Sequence, residues 1–350
     1  MAEPTLVAAG PERLAAYTTL RVGGPARRLL VPAGEAELVQ TVRDLDAAGE
    51  PVLILGGGSN VLIGDDGFDG TVVKVATQGI DDDVAACSGA VLTVAAGEPW
   101  DDLVRFTLEH EYSGLETLAG IPGLVGGTPI QNVGAYGTEV SQLITTVRTL
   151  DRSSGRIRTF FAVECQFGYR SSRFKNEPGR YLVLSVTFQL RLGSLSAPIR
   201  YPELARTLGV EVGERAPARD VAEAVLALRR SKGMVLDDAD PDTWSAGSFF
   251  TNPVLDPQRA AELPPDAPRF PQPDGRVKTS AAWLIERSGY GKGFGEGQAR
   301  VSGKHSLALT NRGSAAVSDI LELARRIRAG VQRSFGITLV PEPVLVGCEL

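Results

Sequence analysis

The stretch AGIPGLVGGTPIQNVGAYG, residues 119–137, constrains the fold more than any other part of this chain. It holds six glycines and two prolines and carries no charged side chain. Glycine adopts positive φ without strain and lets two backbones approach closely. A run so rich in Gly and Pro breaks regular elements, yet its small and apolar residues suit a buried ligand better than a solvated loop. A second cluster, LILGGGSNVLI (53–63), sets three glycines and Ser-Asn between two apolar runs. Successive glycines turn backbone N–H groups inward as an anion nest. No Gly-Lys-Ser/Thr follows, which excludes a P-loop. A Rossmann fingerprint counted from Gly56 would need glycine where Val61 stands. Alone, the triple glycine is equally a tight turn between strands. Together, the two loops offer a pyrophosphate backbone donors without any lysine.

Length and composition bound the rest. A chain of 350 residues divides into roughly two or three domains. With 43% hydrophobic and 22% charged residues it builds a real core. A net charge of −6 gives no basic excess for nucleic acid. Cys87, Cys165 and Cys348 are far apart and odd in number, so neither a disulfide framework nor a metal-ligand spacing is expected. A reducing cytoplasm is the simplest setting. The start lacks the pattern of a signal peptide, and no run of 18 apolar residues predicts a spanning helix. The expected partner is a small molecule, with no membrane insertion and no obligate protein partner.

Periodicity predicts helices over 35–49, 99–110, 218–231, 279–288 and about 315–334. Strands are expected at 51–55, 71–75, 91–96, 181–190 and near 307–310. Residues 144–150 and 156–161, joined by DRSSG, read as a hairpin. Residues 255–275 read as loop, and 338–346 as a strand broken by Pro341 and Pro343. Strands and helices alternate in small groups, which favours an α+β class over one doubly wound sheet.

Seven motifs follow in order: TLRVGG (19–24), GGGSNVL (56–62), IPG (121–123), PIQNVGAYG (129–137), FGYRSSRFK (167–175), AGSFF (246–250) with Asn252-Pro253, and Pro341-Glu342. Together they resemble one family, the UDP-N-acetylenolpyruvoylglucosamine reductases (UDP-N-acetylmuramate dehydrogenases), over about 18–347. The resemblance implies a two-subdomain FAD-binding module of the vanillyl-alcohol-oxidase type and a smaller α+β substrate domain. In chain order these are 1–78, 79–232 joined by 337–350, and 233–336. It implies non-covalent FAD and NADPH as hydride donor, in the cytoplasmic step that makes UDP-N-acetylmuramate for peptidoglycan.

The same resemblance assigns roles. Gly56, Gly57, Gly58, Ser59, Asn60 and Val61 of the first loop would line the cofactor. From the second loop it adds Gly120, Ile121, Pro122 and Gly123, then Gly127, Thr128, Gln131 and Asn132, and finally Gly134, Ala135 and Tyr136. Ser248 would protonate the enolate-like carbon of an enolpyruvyl ether, a task that needs no activating histidine. Arg170 would fork onto the substrate carboxylate, and Glu342 would serve the developing enolate. Tyr169, Tyr201, Lys232, Asn252, Phe270, Lys278 and His305 would face the sugar nucleotide. Two departures stand out. Phe270 replaces a tyrosine, so its phenol hydroxyl is absent, and residues 235–243 (VLDDADPDT) look inserted between Lys232 and Ser248. The competing readings are another FAD oxidase or dehydrogenase of the same flavin fold, and a non-catalytic nucleotide-sugar binder.

Overall fold

The structure is a computed structural model that describes residues 5–8, 12–85 and 89–350; Cys87 lies outside them. Contacts divide the chain into two compact units. The first comprises Ala26–Gly57 and Asp69–Ser231 with the N-terminal strand Thr5–Ala8. The second comprises Arg13–Pro25, Gly58–Phe68 and Lys232–Leu350.

Two sheets build the first unit. One has the order Thr5–Ala8, Pro25–Val31, Phe68–Lys74, Val52–Leu55, and its last two strands run parallel with Val52 opposite Thr71. The helix expected at 35–49 forms over Glu35–Ala47 and ends before Gly49, whose φ of 67° suits glycine. The other sheet is antiparallel, with the order Arg156–Phe161, Ile144–Asp151, Tyr181–Leu192, Gly89–Ala95, Ile80–Ala85. The predicted hairpin is present, with Asp151 opposite Arg156. Its turn is fastened by Asp151, whose Oδ1 accepts from the N–H and the hydroxyl of Ser153 at 3.1 and 2.6 Å. Leu92, Val94, Trp100, Val147, Val186 and Phe188 meet in the core between strands and helices.

In the second unit, helix Val317–Phe335 packs on the sheet Ser245–Ser248, Ala308–Asn311, Ala299–Val301. Its buried residues Val317, Ile320, Leu321, Ala324, Ile327 and Val331 recur at helical spacing and meet Phe249, Phe250 and Leu284. The short strand Val344–Val346 pairs in parallel with Val61–Ile63. That pairing groups 337–350 with the second unit, whereas the chain-order division above attached it to 79–232.

Three expectations need correction in detail. The strand predicted over 338–346 survives only at Val344–Val346, plus an isolated bridge from Pro341 to Phe250. Pro341 and Pro343 have no N–H to give a ladder. The stretch 255–275 is not all loop, since it holds helix Pro257–Ala261 and the two-residue strand Phe270–Pro271. The helix predicted over 279–288 is Ala281–Arg287, capped by Ser280, whose hydroxyl accepts the N–H of Trp283 at 3.2 Å. Among the described residues, no helix is long and apolar enough to cross a membrane.

Asp65 is a cap supplied from far along the chain. Its carboxylate oxygens accept the N–H groups of Val317 and Ser318 at 2.8 and 3.0 Å, at the start of the long helix. Desolvation pushes the Asp65 pKa up, but these hydrogen bonds outweigh it and hold the carboxyl below its usual range. Asp65→Ala is therefore expected to lower stability by about 1 kcal/mol near neutral pH. A depressed folded-state pKa stabilises above the unfolded value of 3.8 and ceases to do so as pH falls below the folded one. Urea unfolding of parent and variant should thus differ at neutrality and converge in acid. Equal stability near neutral pH would refute the cap.

Candidate active site

The two glycine loops are built against protein before they can meet a ligand. A Cβ on Gly57 would lie 2.7 Å from the Cα of Gly123, so the first loop touches the second backbone to backbone. Gly126 sits equally close to Ala96, where a Cβ would come within 2.6 Å of the alanine Cβ. In the second unit, a Cβ on Gly58 would fall 1.8 Å from the carbonyl oxygen of Tyr17. These three glycines are demanded by packing. Several second-loop donors are engaged locally. Gly120 N–H donates to Asp101 at 2.7 Å, Gly126 N–H to Ala96 O at 2.8 Å and Gly127 N–H to Leu124 O at 3.0 Å. Two positions are different. A Cβ on Gly127 would meet nothing within 4 Å, and one on Gly56 only Leu124 Cδ1 at 3.9 Å.

Asn132 ends the short helix Thr128–Gln131 in a left-handed conformation, with φ 45°. It is buried, and its amide donates to Glu139 Oε2 and to Gly168 O, both at 2.9 Å. That second bond reaches the segment FGYRSSRFK. Further ties follow: Ser172 Oγ to Ile130 O at 2.8 Å, Lys175 Nζ to Gln131 Oε1 at 2.8 Å and Arg170 Nη2 to Gly134 O at 2.9 Å. Gly168 and Ser171 exchange two backbone hydrogen bonds, which close a turn with Tyr169 and Arg170 at its tip. Arg170 has φ 50°, uncommon for a side chain of its size. The structure thus brings Gln131, Asn132, Gly134, Tyr169 and Arg170 together in one laced segment. Tyr201, about two-fifths exposed, joins them from the start of helix Pro202–Leu208, its ring edge-on to Tyr136 with centroids 5.3 Å apart.

In the second unit, Ser248 ends strand Ser245–Ser248 opposite Ala308. Gly247 before it has φ 72°, and Phe249 N–H after it donates to Leu307 O at 2.8 Å. The carbonyl of Phe249 accepts the N–H of Glu342 at 2.8 Å, so the Ser248 and Glu342 segments are directly joined. Phe270 and Val254 both oppose Lys278 in a three-stranded sheet. Asn252 Oδ1 accepts the N–H of Ala281 at 2.9 Å, fixing its side chain at a helix start. Gly233, next to Lys232, and Gly303, two residues before His305, both lie against Asp242.

Sequence reasoning missed two cations near the glycine loops. Burial lowers the pKa of Lys74, whose Nζ lies 3.4 Å from Gly56 O. Burial also lowers that of Arg229, with Tyr136 and Asp101 opposing the shift. Both lie in elements that pattern recognised as strand and amphipathic helix, and periodicity does not say which polar residue turns inward.

Comparison with known proteins shows the family to which the chain belongs. A curated UDP-N-acetylenolpyruvoylglucosamine reductase of Cutibacterium acnes is 60% identical over 340 residues, which is 96% of this chain and 90% of that protein. The chain belongs to the UDP-N-acetylenolpyruvoylglucosamine reductase family. The reductase of Thermobifida fusca is 54% identical over 96% of the chain and 97% of its own length. Residues 240–346 match the family described as UDP-N-acetylenolpyruvoylglucosamine reductase, C-terminal domain, and 26–160 match an FAD binding domain. The crystal structure of the reductase from Thermus caldophilus superposes with a TM-score of 0.67 at 27% identity, covering 96% of this chain and 98% of that one. The chain is accordingly an oxidoreductase with FAD as its cofactor. Both competing readings, another flavin oxidase and a non-catalytic binder, are set aside.

The glycine loops fit such a group. Gly56 and Gly127 leave backbone facing open space where any side chain would intrude, while Gly57 and Gly126 draw the loops together. Gly57→Ala should force the loops apart and lower stability by about 1–3 kcal/mol. The flavin-to-protein absorbance ratio of the purified protein should fall with it. Gly127→Ala should keep stability within about 0.5 kcal/mol and change flavin retention alone. If Gly57→Ala keeps both stability and flavin, the loop contact is not what holds the site.

Proposed function

We propose that the chain reduces the enolpyruvyl ether of UDP-N-acetylglucosamine to UDP-N-acetylmuramate in the cytoplasm, with NADPH as hydride donor and Ser248 as proton donor. Membership of the family supports the overall reaction. Held by the glycine loops at 56–61 and 120–136, FAD would supply the hydride-transfer chemistry between NADPH and the terminal vinyl carbon of the substrate. The chain's own residues do the rest. Arg170, fixed at the tip of its turn, binds the substrate carboxylate and spreads the charge that develops there. Ser248 gives its hydroxyl proton to the carbon next to that carboxylate, completing saturation of the double bond. Glu342 stabilises the same enolate-like system. Lys232, Asn252, Lys278 and His305 bind the sugar nucleotide, while Phe270 offers its ring without a phenol hydroxyl. Tyr201 closes over the bound substrate.

The observation that carries this reading is the backbone coupling of Ser248 to Glu342 through Phe249. It supports the reading because Ser248 and Glu342 stand on adjoining backbones, where both can serve one carbanion-like carbon.

Ser248→Ala should separate the two half-reactions. Flavin reduction by NADPH needs no serine proton and should stay near the parent rate. Reoxidation by the enolpyruvyl substrate should slow by about 10²–10⁴-fold. Rapid-mixing absorbance follows each half, and reoxidation at the parent rate would remove Ser248 from the chemistry. Tyr201→Phe should weaken substrate binding more than it slows NADPH oxidation; equal losses in both would exclude a lid.

A further inference from the structure

We infer that Asp242 is a positioning residue for the sugar-nucleotide half of the reaction, holding the turn that carries His305 and the backbone beside Lys232 in register with the Ser248 strand. This inference rests on the proposed function, in which Lys232 and His305 bind substrate and Ser248 protonates it.

Asp242 lies in the inserted segment that sequence reading left without a role. Its Oδ1 accepts the N–H of Gly303 at 3.0 Å and Nη1 of Arg312 at 2.8 Å. A Cβ on Gly303 would stand 3.4 Å from Oδ2, so the turn closes directly on the carboxylate. On the other side is Gly233, the neighbour of Lys232. It has φ 64°, and a Cβ there would come 2.9 Å from the Asp242 carbonyl oxygen. One residue therefore meets Gly233, next to Lys232, and Gly303, two residues before His305.

From the turn the connection runs to Ser248. The N–H groups of Lys304 and His305 donate to Ser302 Oγ at 3.0 and 3.3 Å. Ser302 N–H donates to Ala308 O at 2.8 Å, and Ala308 N–H to His305 O at 3.1 Å. Ala308 is the residue opposite Ser248. The knot is itself held firmly. Asp240 Oδ1 accepts the N–H of Asp242 at 3.0 Å, and its other oxygen pairs with Lys304. The Thr243 hydroxyl lies 2.8 Å from the carbonyl oxygens of both Asp237 and Asp240, which share its one proton. Alanine at 242 would leave Gly303 N–H and Arg312 without this acceptor and would free the turn.

The test uses the flavin-loaded protein. Equilibrium binding of the enolpyruvyl sugar nucleotide to the oxidised form, by titration calorimetry, should weaken about tenfold in Asp242→Ala. The rate of flavin reduction by NADPH should stay within about twofold of the parent. Asp242→Asn, whose amide oxygen still accepts from Gly303, should recover binding to within about threefold. Parent-like binding in Asp242→Ala would overturn the inference, as would equal losses of substrate binding and NADPH oxidation. A parent protein that does not bind the nucleotide would instead overturn the proposed function, and this inference with it. Should Asp242→Ala not fold, Asp242→Glu displaces the acceptor by one methylene with the charge kept, and the same outcomes decide.

Discussion

The contact on which the flavin unit depends is the one between the backbones of Gly57 and Gly123. No side chain fits there, since a Cβ on the first glycine would press on the Cα of the second. The contact draws a strand-end loop at 56–60 against the start of a loop rich in small residues. Trp100 N–H binds the Gly123 carbonyl at 3.1 Å, so the N-terminus of helix Trp100–Glu109 fixes the same point. Where the glycines stop touching protein, at Gly56 and Gly127, the backbone is left open. Close packing and open backbone are thus two uses of one residue type, divided among adjacent positions.

The segments to which we assign the chemistry are secured through backbone and buried polar contacts. Asn132 reaches both Glu139 and Gly168, and Ser172 and Lys175 return to the loop it belongs to. A turn held this way keeps Arg170 in a left-handed conformation that an unsupported chain would leave. In the second unit, Ser248 is framed by strand pairing on one side and by the segment of Glu342 on the other. Pre-positioning of this kind suits a reaction in which one proton must arrive at one carbon, because the donor is not reorganised when charge develops.

Much of this was legible in the sequence because its causes are local. The 144–161 hairpin has alternating strands and a polar turn, and the amphipathic helices at 35–47, 100–109 and 218–231 carry their own period. The ordered motifs likewise led to the family and its cofactor. What stayed hidden is set by partners far apart along the chain. Asp65 caps a helix that begins at Val317, and Val61–Ile63 pairs with Val344–Val346. Neither relation leaves a mark in local composition. Residues 235–243 read as an insertion because they depart from the family pattern between Lys232 and Ser248. In the fold, Asp240 and Asp242 face Lys304 and Arg312, which lie more than sixty positions away. Lys74 and Arg229 escaped for a similar reason: a strand or helix pattern predicts the buried face without saying which cation is enclosed beside a glycine loop.

The central claim is that this chain passes hydride from NADPH through FAD to an enolpyruvyl sugar nucleotide. A single anaerobic experiment addresses it. The purified protein is bleached with one equivalent of NADPH, and the enolpyruvyl ether of UDP-N-acetylglucosamine is then added while the flavin band is recorded. The account predicts full return of the oxidised spectrum with one equivalent of substrate and none with UDP-N-acetylglucosamine itself. A flavin that stays reduced in the presence of the enolpyruvyl compound, or one that both nucleotides reoxidise alike, would contradict it.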